Sequence, residues 1–415
     1  MKKFLLTAFA YGTMMLTVMF LQGCLKDKVT RTYTILTPVY ESKDVVLADI
    51  RSNAPKAIES PGKIFIYSNY IFLNEIDKGV HIIDNTNPSN PVIKAFINIP
   101  GNVDIAVKGN TLYADMYSDL LSIDITDPLN VKLLKNVANV FPERNYNYGF
   151  VANSSKVIVG WIRKDTTVEQ KPYNKNWITV DFAQNNGVLT AAAAVPKAGI
   201  GGSLARFSIV NDYLYAVDNH NLKAVSIIDP SDPKLINNIF AGFDIETIYP
   251  LKDKLFLGSM NGLYIFDISN PASPVVKGTF IHGRACDPVV ADDNYAFVTL
   301  KEGTRCGPAN NELNVVDIKN IASPVLLKSY ALTRPSGLSK DGDILFICDG
   351  TDGLKVFNAS NVSNVRLIKK IGGIDPNDVI AWNNNALVVT REGLFQFDYS
   401  NVGDIKLRSR LTISK

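Results

Sequence analysis

The sequence predicts an all-β chain folded as a β-propeller of eight four-stranded blades. Three observations carry the prediction. A short phrase recurs: an apolar strand, an Asp, a Ser/Asn/Thr turn, a Pro, and a second apolar strand. It reads VHIIDNTNPSNPV at 80–92, LLSIDITDPLNV at 120–131, VSIIDPSDPKL at 225–235, LYIFDISNPASPV at 263–275 and LNVVDIKNIASPV at 313–325, with weaker copies LKVFNASNVSNV at 354–365 and LFQFDYSNVGDI at 394–405. The Asp closing each apolar run falls at Asp84, Asp124, Asp181, Asp229, Asp267, Asp317 and Asp398, with Asn358 in the same role, so successive spacings are 40, 57, 48, 38, 50, 41 and 40 residues. A period of about 40 residues with several strands inside it suits a four-stranded blade. Beyond the N-terminal leader no stretch sustains a helical period.

The elements follow in chain order. Lys2 and Lys3 precede an apolar run from Phe4 to Phe20, and Leu21-Gln22-Gly23-Cys24 comes next. A basic start, an apolar middle and a small residue at the cut describe an export signal over residues 1–23. The run is marginal for a bilayer span, which takes roughly 20 residues. Cys24 after Leu-x-Gly resembles the bacterial lipobox. That resemblance implies a thiol acylated as the first mature residue, in a lipoprotein of the outer membrane facing the periplasm or the surface. Several acyl chains anchor stably where a single one does not. Removing 1–23 leaves 392 residues and lowers the formal net charge from +3 to +1, too balanced for a nucleic-acid reader. Residues 24–55 read as a lipid-anchored tether and N-terminal segment with one helix-like stretch, Ser42 to Ile50. Residues 56–415 read as the propeller, and a hydrophobic content of 46% supplies its core.

The second unit displays its strands plainly. Val103 to Lys108, Thr111 to Met116, Leu120 to Ile125 and Val131 to Val137 alternate with Gly-Asn and Thr-Asp-Pro turns. The repeated Asp can accept from the amide two residues on, closing an Asx-turn. The Pro withdraws an N–H where an outer edge needs blunting. A calcium loop would need Gly at its sixth position and Glu at its twelfth, and the phrase has neither. The third unit, KVIVGWI followed by an insertion and WITVDFA, is the least regular. A seven-bladed ring with that unit degenerate is the alternative. The last unit ends on its fourth strand, LRSRLTI, and the first begins on its first, KIFIYSN, so closure is by packing of complete blades.

The HIID, SIID, YIFD and NVVD strands with their Asn-Pro and Ser-Pro turns resemble the LVIVD-repeat family of exported bacterial proteins. The resemblance covers nearly all of the mature chain. It implies a β-propeller lipoprotein of Bacteroidetes-type bacteria, and the family carries no agreed biochemical activity.

In a propeller, second-to-third strand loops and blade-to-blade loops share one face. The largest second-to-third insertions are read at Arg163–Asn176 in the third unit and Lys301–Asn311 in the sixth, and loops on a rigid scaffold carry function. Cys286 and Cys306 both fall on this face, and a disulfide between them is expected in an oxidising compartment. Free thiols are the alternative, and a metal site lacks ligands. Cys348 reads as a buried apolar thiol. Trp161, Tyr173 and Trp177 among lysines suit a glycan or a protein partner, or pack as strand ends. Residues at first-strand starts ring the channel mouth: Asp104, Arg206, Glu246, Arg284, Asp287, Arg334 and Asp378, with His282, Arg144, Tyr146 and Tyr148 nearby. They suit a charged ligand, or calcium if the carboxylates converge; a salt-bridged mouth is the competing reading. No nucleophile elbow or phosphate loop is present. The favoured function is a non-catalytic scaffold for a protein or an extracellular glycan. The alternative is a propeller enzyme acting on polysaccharide or peptide at the mouth, using His282, Asp287, Glu246 or Asp378.

Overall fold

A computed structural model describes residues 30–147, 149–151, 155–169, 200–285, 288–303 and 310–414. They belong to two units, one drawn from 1–39 and 160–183, the other from 40–159 and 184–415. In the smaller unit the strands Thr30–Ser42 and Lys156–Glu169 form a two-stranded ribbon. Thr34 Oγ1 donates to Asp165 Oδ1 at 2.6 Å there, and Thr32 and Thr167 hydroxyls meet at 2.9 Å.

The larger unit is a β-propeller of seven four-stranded blades. Blade 1 spans 61–98, blade 2 105–137, blade 3 207–240, blade 4 245–281, blade 5 289–331, blade 6 338–371 and blade 7 376–412. Each takes four consecutive strands in sequence order. Inner strands of successive blades touch around the axis. Apolar side chains of the inner three strands fill the spaces between blades, as where Phe256 and Leu263 of blade 4 meet Val290 and Phe297 of blade 5.

The eight-blade expectation is therefore corrected to its alternative, seven. The third unit is not a blade. Its KVIVGWI segment runs into the strand Lys156–Glu169, whose sheet partner is Thr30–Ser42. Val157 and Ile158 are buried, but Val159 and Ile162 are exposed. An apolar run at the right spacing looked like a blade, yet only part of it finds a core to cover it. Its WITVDFA half lies outside the described residues, as does Asp181. Blades 2 and 3 are direct neighbours: Phe141 stacks on Phe207 at 5.3 Å, and Lys108 pairs with Asp212. Residues 138–206 are one long blade-to-blade connection, so Arg163–Asn176 belongs to that connection and not to a second-to-third loop.

The repeated phrase is the third strand, its turn and the start of the fourth. Amides of Thr86, Thr126, Ser269, Lys319, Ser360 and Ser400 donate to Asp84, Asp124, Asp267, Asp317, Asn358 and Asp398 at 2.8–3.0 Å. These are the expected Asx-turns. Every blade also carries a register shift between its third and fourth strands, placed just before the turn; such bulges raise the local twist. Blade 3 departs from the expected marking. Its shift lies between Ala224 and Val225, and Ile227 N donates to Asp212 O as Ile268 N does to Asp253 O. Ser226 therefore holds the first turn position. Asp229 sits three residues later, where Ser231 N bonds it, as Ser89 N bonds Asn87 in blade 1.

The turns also fasten blade to blade. Ser122 of blade 2 donates to Pro230 O of blade 3, Tyr215 of blade 3 to Pro271 O of blade 4 at 2.9 Å, and Tyr330 of blade 5 to Val362 O of blade 6 at 2.9 Å. At the seam between the chain's ends, Ser409 of blade 7 donates to Pro88 O of blade 1 at 2.6 Å, and Gln396 to Asn85 at 2.7 Å. Ile64, Ile66 and Leu73 pack there against Ile380, Leu387 and Val389. Both end blades are complete, as expected. Ahead of blade 1, Ser42 caps the helix Lys43–Ala48. The following strap bonds blades 1 and 2: Asn53 bridges Phe96, and Ser52 Oγ donates to Pro128 O at 2.9 Å.

Candidate functional site

The axial channel holds a segment that the sequence reading overlooked. Ile200–Gly201 pairs as a fifth strand on the inner edge of blade 1. Residues 202–206 then cross to the other blades. Gly202 N donates to Ile64 O of blade 1 at 3.1 Å, and Ile248 N of blade 4 donates to Ala205 O at 3.0 Å. Ser203 N and Oγ donate to Asp378 Oδ1 of blade 7 at 2.9 and 3.2 Å, and Leu338 N of blade 6 donates to Ser203 Oγ. Arg206 N donates to Asp104 Oδ2 at 2.6 Å, beside blade 2. The signal was the run Gly199-Ile200-Gly201-Gly202-Ser203. A Cβ on Gly202 would lie 2.2 Å from Asp378 Oδ2, so only glycine passes.

This plug buries two of the expected mouth residues. Asp104 and Asp378 are each 1% exposed. Lys63 Nζ donates to Asp104 Oδ2 at 2.8 Å and also to Leu204 O. Burial pushes the Asp378 carboxyl up to about 8 and draws the Lys63 ammonium down to about 8. Asp378 Oδ2 has no hydrogen-bond partner among the described residues, which suits a protonated carboxyl. Asp378 thus holds the plug.

Arg144 is also internal in its bonding. Its guanidinium pairs with buried Asp115, and Nη2 donates to Gly101 O at 3.0 Å. Burial, then the charge of Arg206, lowers its pKa to about 10. Lys223, itself buried, bridges Asp218 and Glu143; burial pushes the Glu143 carboxyl up.

The remaining expected residues lie on the loop face. Glu246, half-buried, starts the first strand of blade 4. Exposed Arg284 reaches Asp244 at 3.7 Å, and His282 Nδ1 lies 2.7 Å from Gly283 O. Exposed Arg334 sits in the connection to blade 6, its amide donating to buried Asp349 at 2.7 Å. Two residues that the sequence reading did not count among the mouth residues join it. Lys301 directly follows the second strand of blade 5, and Arg391 directly follows that of blade 7, held by Asp375 at 3.0 Å. The charges of Arg334, Arg391, Asp375 and Glu246 all act on the Lys301 ammonium, which burial and the two arginines draw down. These charged groups stand at loop-face strand ends of blades 4, 5 and 7 and in the connection to blade 6. Lys301–Asn311 is the second-to-third loop of blade 5, as expected, its base closed by Asn311 Nδ2 donating to Glu302 Oε1 at 2.8 Å.

Half-buried Trp161 belongs to the ribbon. The side chain of Tyr146 lies outside the described residues, as do Tyr148, Tyr173, Trp177, Asp287, Cys24, Cys286 and Cys306, so the acylation and disulfide expectations fall on parts not described. Cys348 is a buried free thiol whose pKa burial raises. No group of three or more potential metal ligands occurs among the described residues.

The LVIVD repeat model matches residues 61–98, 101–139, 255–281 and 282–332, which are blades 1 and 2, three strands of blade 4, and blade 5 with its leading loop. The chain is a β-propeller that carries LVIVD repeats. No curated protein sequence matches it. Among solved structures, the LVIVD propeller is similar to the computationally designed Ika8 protein, with TM-score 0.52 and 8% identity over 88% of this chain and 92% of that one. It is also similar to PorZ, an essential bacterial surface component of the type-IX secretion system of Porphyromonas gingivalis, with TM-score 0.51 and 13% identity over 88% of this chain and 40% of that one. At such identities the likeness is one of fold.

Proposed function

We propose that the protein is an exported, lipid-anchored scaffold of the cell envelope that holds a protein or glycan partner on its loop face. One observation carries this reading: the two long interruptions of an otherwise regular ring, between the fourth strand of blade 2 and the first of blade 3 and between the second and third strands of blade 5, both leave and rejoin the blades at strand ends of that face. The opposite ends of the blades carry short hairpins and the repeated Asx-turns. Fastened blades and a plugged axis make a rigid support, which suits presentation of a surface. The leader and Cys24 support export and acylation. PorZ, which shares the fold, is a bacterial surface component, in keeping with such a placement.

The test is made in the source cells. Cys24→Ala is expected to release the protein from the membrane fraction, and photocrosslinkers on the loop face are expected to capture a partner that crosslinkers on the Asx-turn face miss. Retention of the Cys24→Ala protein in membranes would sink the anchor. Capture of nothing from the loop face would sink the scaffold reading.

A further inference from the structure

The mouth cluster combines cations from blades 5 and 7 and the connection to blade 6 with a short apolar approach. Lys301, Arg334 and Arg391 come from blade 5, the connection to blade 6, and blade 7. Asp375 is engaged by Arg391 at 3.0 Å, and Glu246 is the other acid acting on Lys301. The Lys301 ammonium and Arg334 guanidinium have no ion-pair partner among the described residues. Arg334 is presented firmly, because Asp349 accepts from the amides of Thr333 and Arg334 and is itself paired with Lys355. Gathering like charges costs free energy that an anion would offset.

The loop from blade 3 to blade 4 leads from the rim to this cluster. It starts after Phe240, carries Phe243, and ends at Ile245 next to Glu246. Phe240 and Phe243 are each 61% exposed, with ring centroids 5.2 Å apart, and His220 meets Phe243 edge-on at 5.7 Å. Exposed phenylalanines offer apolar surface with no polar edge for sugar hydroxyls, which favours peptide over glycan.

We propose that Lys301, Arg334 and Arg391 receive the carboxylates of an acidic peptide segment of a partner protein, whose apolar side chains rest on Phe240 and Phe243. This inference rests on the reading of the loop face as the binding face. Arginine forks match carboxylates in a bidentate manner, and the lysine adds a point charge.

The test selects peptides from a random heptapeptide display library on the full-length protein. Selected peptides are expected to be rich in Asp and Glu and to carry an aromatic or aliphatic residue. Binding of a selected peptide is expected to weaken about tenfold for each charge-assisted bond lost in Lys301→Gln and Arg334→Gln. Lys301→Arg should retain it, and Phe243→Ser should weaken it while leaving the melting temperature unchanged. Acid-poor peptides, or binding indifferent to the charge variants, would overturn the proposal. So would tighter binding of trigalacturonate, which would make the ligand a sugar acid. A photocrosslinker at position 334 separates the two readings. If it captures a partner in cells while the peptide arm fails, only this inference falls; if no loop-face position captures anything, the scaffold reading falls as well.

Discussion

The repeated Asp does its work through its own backbone. In Asp267 the amide of Ser269 first, then its side chain, holds the carboxylate down to about 2; in Asp398 the Ser400 side chain and amide do the same, helped by Arg408. A carboxyl depressed in the fold stabilises fully above its unfolded value and ceases to do so as the pH falls through the folded one. The propeller is therefore expected to lose stability from about pH 4 down to pH 2, and urea midpoints across that range check it. Asp267→Ala should cost about 1 kcal/mol at pH 7, one net hydrogen bond, and flatten the acid limb. Asp378 has the opposite sign. With its carboxyl raised to about 8, the fold holds a proton that the unfolded chain has already released, so stability falls as the pH rises toward 8. Above that, Lys63 has given up its proton in the fold while the unfolded chain keeps it, and stability climbs again. The expected result is a shallow minimum near pH 8, seen as a difference between the native protein and Asp378→Asn in melting temperatures from pH 5 to 10. A native profile parallel to that of Asp378→Asn would refute it.

At the scale of the element, the plug converts a channel into a core. Its small residues let one backbone segment bond blades 1, 4, 6 and 7, with Asp104 beside blade 2, and then become blade 3. Gly202→Ala forces a methyl group against Asp378 Oδ2, and overpacking of this kind costs about 1–3 kcal/mol. The variant is expected to melt lower and to be cut by protease within 200–206, where the native chain resists. This element also marks the limit of the sequence reading. The Asx-turns were legible because an Asp, a small polar residue and a Pro declare their local geometry. The plug was not, because glycines report only that a backbone passes closely, and its partners lie up to 175 residues away. The Asp104 and Asp378 positions were read correctly as first-strand starts, but their ligands proved to be the chain itself. Lys301 was read only as the start of a loop and Arg391 not at all, because both follow second strands, and a one-dimensional pattern gives no sign of which blades face one another across the axis.

At the scale of the whole molecule, the blade count turned on the irregular third unit, whose Asp181 keeps the repeat's spacing without the Ser/Asn/Thr and Pro phrase after it. Seven blades carry the register shift before the turn, whereas among the described residues the KVIVGWI segment pairs only with Thr30–Ser42. The ring that results is continuous except at one seam. Every other pair of neighbouring blades is joined by the chain; blades 7 and 1 are joined by Ser409 to Pro88, Gln396 to Asn85, Ser414 N to Ile58 O at 2.8 Å, and the cluster of Ile64, Ile66, Ile380 and Leu387. No strand is shared across it, so nothing covalent keeps it closed once its side chains let go. Ile380→Ala removes buried methyl groups there and should cost about 2–5 kcal/mol. Because the seam lacks a connecting chain, that loss is expected to appear first as local opening. In hydrogen exchange under mild denaturant, amides of 376–390 and 61–73 should lose protection ahead of those of 254–267 in blade 4. An equivalent cavity within that continuous arc, Leu257→Ala, should instead lower the protection of all blades together. Equal patterns from the two variants would mean that closure is as strong as chain connection, and the seam would then have no special place in the unfolding of the ring.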